Sequence, residues 1–418
     1  MEDKKDFTLL SLDPMYSSLH ERIAFLVAKK KYAITSCLAK KVYLPTFEVT
    51  LATELINRSC PDDAKRFYDK IFKLESYHHV FVKKKLGRNI SDEEVKYMSL
   101  YYASLRQFII DKGINLVLIH NETRWYHAIA IDICQDLGVR YLVTEQGLIR
   151  PYTTIIDPRG TSKNCTIDFI NKTSFENKSE FNFYPKCKHD SLKSIFFFFI
   201  FLAFFTLERW NSNKTILRYM HNNYSLRKYG LRIMNKLKIK NNNISRLEEK
   251  SILLLLQLDY DSQFLIHSPF SNNDQVISEV ENLAKKKNYK LAIKKHPLDT
   301  RDYRLGQNSY FAQGGVLALA KQAEAVFTVN SSASIEVLKT SKPLLMLGES
   351  LYDYEGITTR VSKKNQDYCI ELAKKKMNPN GRNAFIDFLL NEYLILGAGY
   401  SYSDDILAKK LNVLLNNK

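Results

Sequence analysis

Between Ile252 and Leu347 the chain lays down four short, almost wholly apolar runs: Ile252 to Leu258, Tyr289 to Lys294, Ala325 to Val329 and Pro343 to Leu347. Helix-like stretches separate them, at Asn273 to Lys286, Gly315 to Gln322 and Ser334 to Thr340. Strands with so little polar character need cover on both faces, and a doubly wound parallel sheet supplies it. The same alternation opens the chain, with a strand at Phe7 to Leu12, a helix at Leu19 to Lys31 and a strand at Tyr32 to Leu38. A helix at Asp92 to Asp111 follows, then a strand at Ile114 to His120, a helix at Trp125 to Leu137 stopped by Gly138, and a strand at Val139 to Thr144. The expected class is α/β, with two Rossmann-like domains facing across a cleft and ligands at the carboxyl ends of the strands.

With 418 residues, 45% of them hydrophobic, the chain has material for two cores. The expected division is residues 1–165, a linker or insert over 166–250, a second domain over 251–360, and helices over 361–418 that cross back to the first domain. Six cysteines, Cys37, Cys60, Cys134, Cys165, Cys187 and Cys369, have no metal-clamping or disulfide-framework spacing, which points to a reducing compartment. The opening Met-Glu-Asp-Lys-Lys-Asp lacks the pattern of a signal peptide, so a cytoplasmic location is expected.

The net charge of +17 suggests a polyanionic partner. Lysine triplets at Lys29 to Lys31, Lys83 to Lys85, Lys285 to Lys287 and Lys374 to Lys376 read as solvated helix ends. The segment from Lys186 to Lys240 differs, because it holds twelve Lys or Arg against only Asp190 and Glu208. Inside it lies the Phe-rich run Ile195 to Leu207, flanked by Lys193, Arg209, Lys214 and Arg218. As a helix that run reaches about 20 Å, short of a roughly 30 Å hydrocarbon core. It therefore suits either the headgroup layer of an anionic membrane or burial as a core helix. Without a nucleic-acid motif to accompany the charge, RNA or DNA is not an expected partner.

Residues just past strand ends are the candidates for chemistry. The first domain offers Glu145, Gln146, Gly147 and Arg150; the second offers Asp259, Asp261, Gln263, Lys294, His296, Pro297, Asn330, Ser331, Ser332 and Glu336. A lone His-Pro is ordinarily a turn and Asn-Ser-Ser before a helix is first of all a cap. Free amides at such a helix start also suit phosphate. Asp259-Tyr260-Asp261 matches the Asp-x-Asp metal motif, yet the doubly wound context argues against that use, and no metal site is expected.

Five blocks in order carry a resemblance: Glu145 to Pro151, Gln257 to Gln263, His267 to Phe270, Lys294 to Asp299, and Thr328 through Glu336 to Thr358. Together they resemble the capsule polysaccharide Kdo transferases, the KpsS/LipB-like group related to KpsC. Gln146 stands where many members carry a second acid. The resemblance implies a GT-B-type glycosyltransferase, a CMP-Kdo donor rather than a bound cofactor, and a lipid-linked or oligosaccharide acceptor at the inner face of the cytoplasmic membrane. It also implies retaining chemistry with Asp261 as nucleophile and Glu145 as acid/base. His296, with Ser331 and Ser332, would hold the CMP phosphate and Glu336 the ribose, Pro297 and Asn330 would also bind the CMP-sugar, and Gln146, Gly147, Arg150, Gln263 and Lys294 are further donor or acceptor contacts. Another CMP-linked nonulosonic acid such as pseudaminic acid, or a non-catalytic role in capsule assembly or export beside other capsule proteins, are the alternatives.

Overall fold

The computed structural model describes residues 6–161, 163–167, 169, 191–211, 214–221, 224, 229–230 and 245–416. Cys187 and eight of the twelve Lys and Arg residues of the segment Lys186 to Lys240 lie outside them. Two compact units emerge, one drawn from Met1–Thr166, Tyr184–Tyr229 and Leu394–Lys418, the other from Ile167–Phe183 and Gly230–Tyr393. Each has its own sheet, so the architecture is mixed α/β with two separate sheet regions.

The first sheet holds β1 (Phe7–Leu12), β2 (Ala28–Thr35), β3 (Glu48–Leu51), β4 (Leu116–His120), β5 (Arg140–Gln146), β6 (Thr153–Asp157) and, from far along the chain, β13 (Ile395–Leu396). Its order is β13-β6-β5-β4-β1-β2-β3. The first five strands run parallel, but β6 and β13 are antiparallel, so the sheet is mixed at one edge rather than parallel throughout. Strand order reverses between β1 and β4. Every residue of β4 is buried, as its run of apolar side chains requires.

Local signals account for the helices that cover this sheet. At Asp92–Asp111 the Ser91 hydroxyl accepts from the Glu94 amide while Glu94 accepts from the Ser91 amide, a complete capping box. Trp125–Leu137 ends on Gly138 at φ 65°, the left-handed stop glycine provides. The first helix stops earlier than expected, at Val27, because Ala28 turns extended and joins β2. Lys29 to Lys31 therefore lie on a strand, not at a helix end.

The second sheet is parallel throughout, in the order β12-β11-β10-β7-β8-β9. Its strands are β7 (Ser251–Leu255), β8 (Lys290–Lys294), β9 (Ser309–Phe311), β10 (Val326–Thr328), β11 (Leu344–Met346) and β12 (Thr359–Arg360). Here the order reverses between β7 and β10.

Within the first unit the Phe-rich run forms the middle of the helix Ser191–Trp210, and the two readings of it divide by face. Phe201, Leu202 and Phe205 are buried in a cluster with Cys37, Tyr43 and Tyr224. Glu208 anchors the helix by accepting from the amides of Leu38 and Ala39 at 2.7 and 3.1 Å. The opposite stripe, Leu192, Ile195, Phe196, Phe199, Phe204, Leu207 and Trp210, is exposed, Trp210 to 85%. An open groove of about 880 Å³ lies beside it, lined by Leu38, Val42, Phe204, Leu207 and Trp210. Among the described residues no helix is long and apolar enough to cross a membrane.

Candidate functional site

In the first unit the carboxyl ends of β1, β2, β4 and β5 gather a polar cluster at the point where strand order reverses. In open α/β sheets that is where ligands bind. Glu145 is the penultimate residue of β5, within the strand rather than past it. Its Oε2 accepts from Asn121 Nδ2 at 2.9 Å and its Oε1 from the Gln146 amide at 2.8 Å. Burial alone would raise this carboxyl, but His120, the Gln146 amide, Asn121 and Arg150 outweigh it and Glu145 is held below its ordinary value. Burial drives His120 down to about 4, so the ring is neutral near pH 7 and gains its charge in the acid range where Glu145 would itself take a proton.

The rest of the block Glu145 to Pro151 makes the turn into β6. The Gly147 amide donates to the Thr153 carbonyl at 2.8 Å. A Cβ on Gly147 would lie 2.2 Å from Thr153 Oγ1 and 2.5 Å from its backbone, so the glycine is there for the close approach of two chains. Arg150 is exposed and its Nε reaches the Gly147 carbonyl at 3.4 Å.

Asp13, Lys40, His120, Asn121 and Arg124 were not among the sequence candidates. Asp13 follows β1 at φ 45° and Asn121 follows β4 at φ 66°, both in the left-handed region that costs a non-glycine residue about 1 kcal/mol or more. The strand-end rule that picked out Glu145 would have found both. The Asp13 carboxylate accepts from the Ser36 amide at 2.8 Å, Ser36 Oγ at 2.5 Å and Tyr126 Oη at 2.7 Å, and pairs with Lys40 Nζ at 2.7 Å. Opposed only by burial, Lys40, His127 and Arg124 hold Asp13 far below the usual carboxylate range. Behind it, Ser11, His20 and Thr144 are linked at 2.7 and 3.0 Å, tying β1 to β5.

In the second unit the ends of β7, β10 and β11 meet around Asn330. It exchanges hydrogen bonds with the Gln257 side chain, its Oδ1 accepting from Nε2 at 2.7 Å while its backbone amide donates to Oε1 at 3.2 Å. Asn330 Nδ2 also donates to the carbonyls of Gln263 at 2.8 Å and Glu349 at 3.2 Å. Gln263 Oε1 is buried with no hydrogen-bond partner among the described residues. Asp261 is exposed and caps the single turn Ser262–Ile266, accepting from the Gln263 amide at 2.8 Å. The ladder of β7 ends at Leu255, so Asp261 lies farther beyond its strand than the apolar run suggested.

Asp259 is buried and its carboxylate takes Arg301 Nη1 at 2.8 Å, joining the loop after β7 to the loop after β8. Among the described residues no group of three or more His, Cys, Asp or Glu side chains is arranged to hold a metal ion. In the loop after β8, His296 Nδ1 accepts from the Leu298 amide at 3.1 Å, so a neutral ring carries its proton on Nε2. Pro297 is exposed, and Lys294, half-buried at the end of β8, is pushed down by burial. Ser331 and Ser332 precede a helix of only five residues, Ser334–Leu338. The amides of Ala333, Ser334, Ile335 and Glu336 are already taken within that turn. The helix-start contribution expected there is thus small. Glu336 pairs with Lys339 at 2.7 Å.

Residues 115–400 match the family model described as capsule polysaccharide biosynthesis protein. The chain is 26% identical over 276 residues to the capsule polysaccharide export protein KpsS of Escherichia coli, covering 58% of this chain and 69% of that one. It is 27% identical over 159 residues to protein FixF of Sinorhizobium fredii (strain NBRC 101917 / NGR234), of whose length the match spans 39%. Among solved structures, Thermosulfurimonas dismutans KpsC, beta Kdo 2,7 transferase, aligns over 98% of this chain and 99% of that one, at 13% identity and a TM-score of 0.41.

Proposed function

Since the chain belongs to the capsule polysaccharide biosynthesis family, we propose that it is a glycosyltransferase that moves Kdo from CMP-Kdo to a lipid-linked or oligosaccharide acceptor. The observation that carries this reading is Glu145, a carboxylate at a strand end held below its ordinary value by His120, the Gln146 amide, Asn121 and Arg150. The phosphate of CMP leaves without needing a proton, so the chemistry calls for a base on the acceptor hydroxyl. Glu145 is that base. Asp261 adds to the anomeric carbon as CMP departs, and the acceptor oxygen, losing its proton to Glu145, displaces Asp261, so that two inversions retain configuration. His296 binds the CMP phosphate with Ser331 and Ser332, Glu336 lies toward the ribose, and Pro297 and Asn330 are further contacts to the CMP-sugar. Gln146, Gly147, Arg150, Gln263 and Lys294 complete the sugar contacts.

The test is to incubate the purified protein with CMP-Kdo and, separately, with a CMP-linked nonulosonic acid, following CMP release with a glycan or lipid acceptor. Release from CMP-Kdo supports the reading, and release from the other donor alone moves it to that sugar. Silence with both leaves a non-catalytic role in assembly or export.

A pH dependence follows from Glu145. A carboxyl held below its ordinary value of 4.5 stays ionised through the neutral range and is protonated only as pH falls past the lowered value. The acid limb of kcat/KM is therefore expected below pH 4.5. A limb near pH 6 to 7 in a pH–rate profile would remove Glu145 as the base.

We also propose that the exposed stripe of the Ser191–Trp210 helix rests on an anionic membrane at the cytoplasmic face, with Lys193, Arg209 and Lys214 reaching headgroups. Its apolar side chains are open to solvent, and cations flank them at both ends. Replacing Phe196, Phe199 and Trp210 with Ser should abolish cosedimentation with phosphatidylglycerol vesicles and leave the melting temperature nearly unchanged. Unaltered cosedimentation would refute it. Replacing Phe201 and Phe205 tests only the core, since both are buried.

A further inference from the structure

Arg124 stands beside Glu145's support, Asn121, at the start of the helix Trp125–Leu137, and its guanidinium is recessed, with only 18% of the side chain exposed. Five N–H donors that deep in a protein ordinarily find acceptors. Asp13 is the nearest anion, yet it is already filled by Ser36, Tyr126 and Lys40, and Arg124 comes no closer than 3.8 Å. Glu145 is engaged with Asn121 and Gln146. Among the described residues the one hydrogen bond the Arg124 guanidinium makes is a long one, Nη1 to Tyr126 Oη at 3.3 Å. Asp13 therefore fixes where this cation lies without using its donors.

We propose that Arg124 binds an oxyanion carried by the acceptor, so that the first unit selects acceptors bearing a carboxylate or a phosphate. This rests on the transferase reading and on Glu145 as the base for the acceptor hydroxyl. The planar fork of a guanidinium matches both anions with two parallel hydrogen bonds, and the low exposure strengthens them. Lys40 contributes indirectly. It is fully buried against Asp13 and cannot reach a ligand, but its charge offsets that of Asp13 and so weakens the hold of Asp13 on Arg124.

The experiment compares octyl glucoside, octyl glucuronide and octyl glucoside 6-phosphate, below their micellar concentrations, as ligands of the full-length protein in calorimetry. Wild type should bind one or both anionic compounds about ten- to a hundredfold more tightly than the neutral one. Arg124→Gln, which keeps a donor toward Tyr126, should bind all three alike. The compound that shows the preference tells carboxylate from phosphate. Equal binding of the three by wild type, or a preference that survives in Arg124→Gln, overturns the inference. If Arg124→Gln melts early, Arg124→Lys serves in its place, keeping the charge and losing the fork, and must still blunt the preference. CMP release by wild type from CMP-Kdo and from the other donor is followed in parallel. An anion preference lost in Arg124→Gln in a protein that releases no CMP from any donor upholds this site and fails only the transferase reading.

Discussion

Asp261→Asn is expected to fold, to bind CMP and to lose transfer on the order of a thousandfold or more. The fold is spared because asparagine caps a helix as well as aspartate does, and the bond from the Gln263 amide needs only the side-chain oxygen. What disappears is the second charged oxygen, without which an amide is a poor nucleophile. Glu145→Gln should fail differently. Asn121 and the Gln146 amide donate to different oxygens of Glu145, so a glutamine oxygen keeps one of the two bonds and loses the other, while the base is gone. The first displacement then outruns the second, and intact-protein mass spectrometry after adding donor should find the sugar on Asp261. Near-normal turnover by Asp261→Asn would end the double-displacement mechanism.

Asp13→Ala should cost about 3 to 5 kcal/mol of stability, because it strands the ammonium of Lys40 in the core. Desolvation already pushes Lys40 below its ordinary value, and Asp13 is its main compensation. Denaturant unfolding measures the loss, and Asp13→Ala with Lys40→Met should recover much of it. A single-variant loss under about 1 kcal/mol would mean the pair is not closed as described. The sign with pH follows from the depressed carboxyl. Asp13 stabilises the fold above its ordinary value of 3.8, and that stability fades as pH falls toward the lowered one.

What was legible in the sequence was whatever rests on local rules. Ser91 with Glu94, and Gly138, fix two helices by contacts within a few residues, and both were read with their bounds. Lys29 to Lys31 misled because lysines suit a helix end or the exposed start of a strand, and only pairing with β1 decides. The Phe-rich run could not be assigned as a whole because its two faces do different things, and which face is which depends on Tyr43 and Tyr224 elsewhere in the chain. Among the site residues, Glu145 and Asp261 came from order and resemblance. Arg124 stayed hidden because its interest lies in donors that Asp13 does not take, and that depends on Ser36 and Lys40 arriving from the distant stretch after β2.

The edge of the first sheet carries a consequence for synthesis. β13 pairs with β6 through residues 395 and 396, and the Gly397 amide binds the Tyr152 carbonyl while its own carbonyl takes the Thr154 hydroxyl. Beyond it the helix Asp404–Asn416 lays Leu407, Leu411 and Leu415 against Leu19 and Ile23 and receives Arg22 on Asp404. The unit that begins the chain is thus completed by the residues made after the whole of the second. On the ribosome the second unit has all its strands before the first has its last one. Until then β6 shows an unpaired edge and the early helix an uncovered apolar face, so the order of birth and the order of completion are reversed.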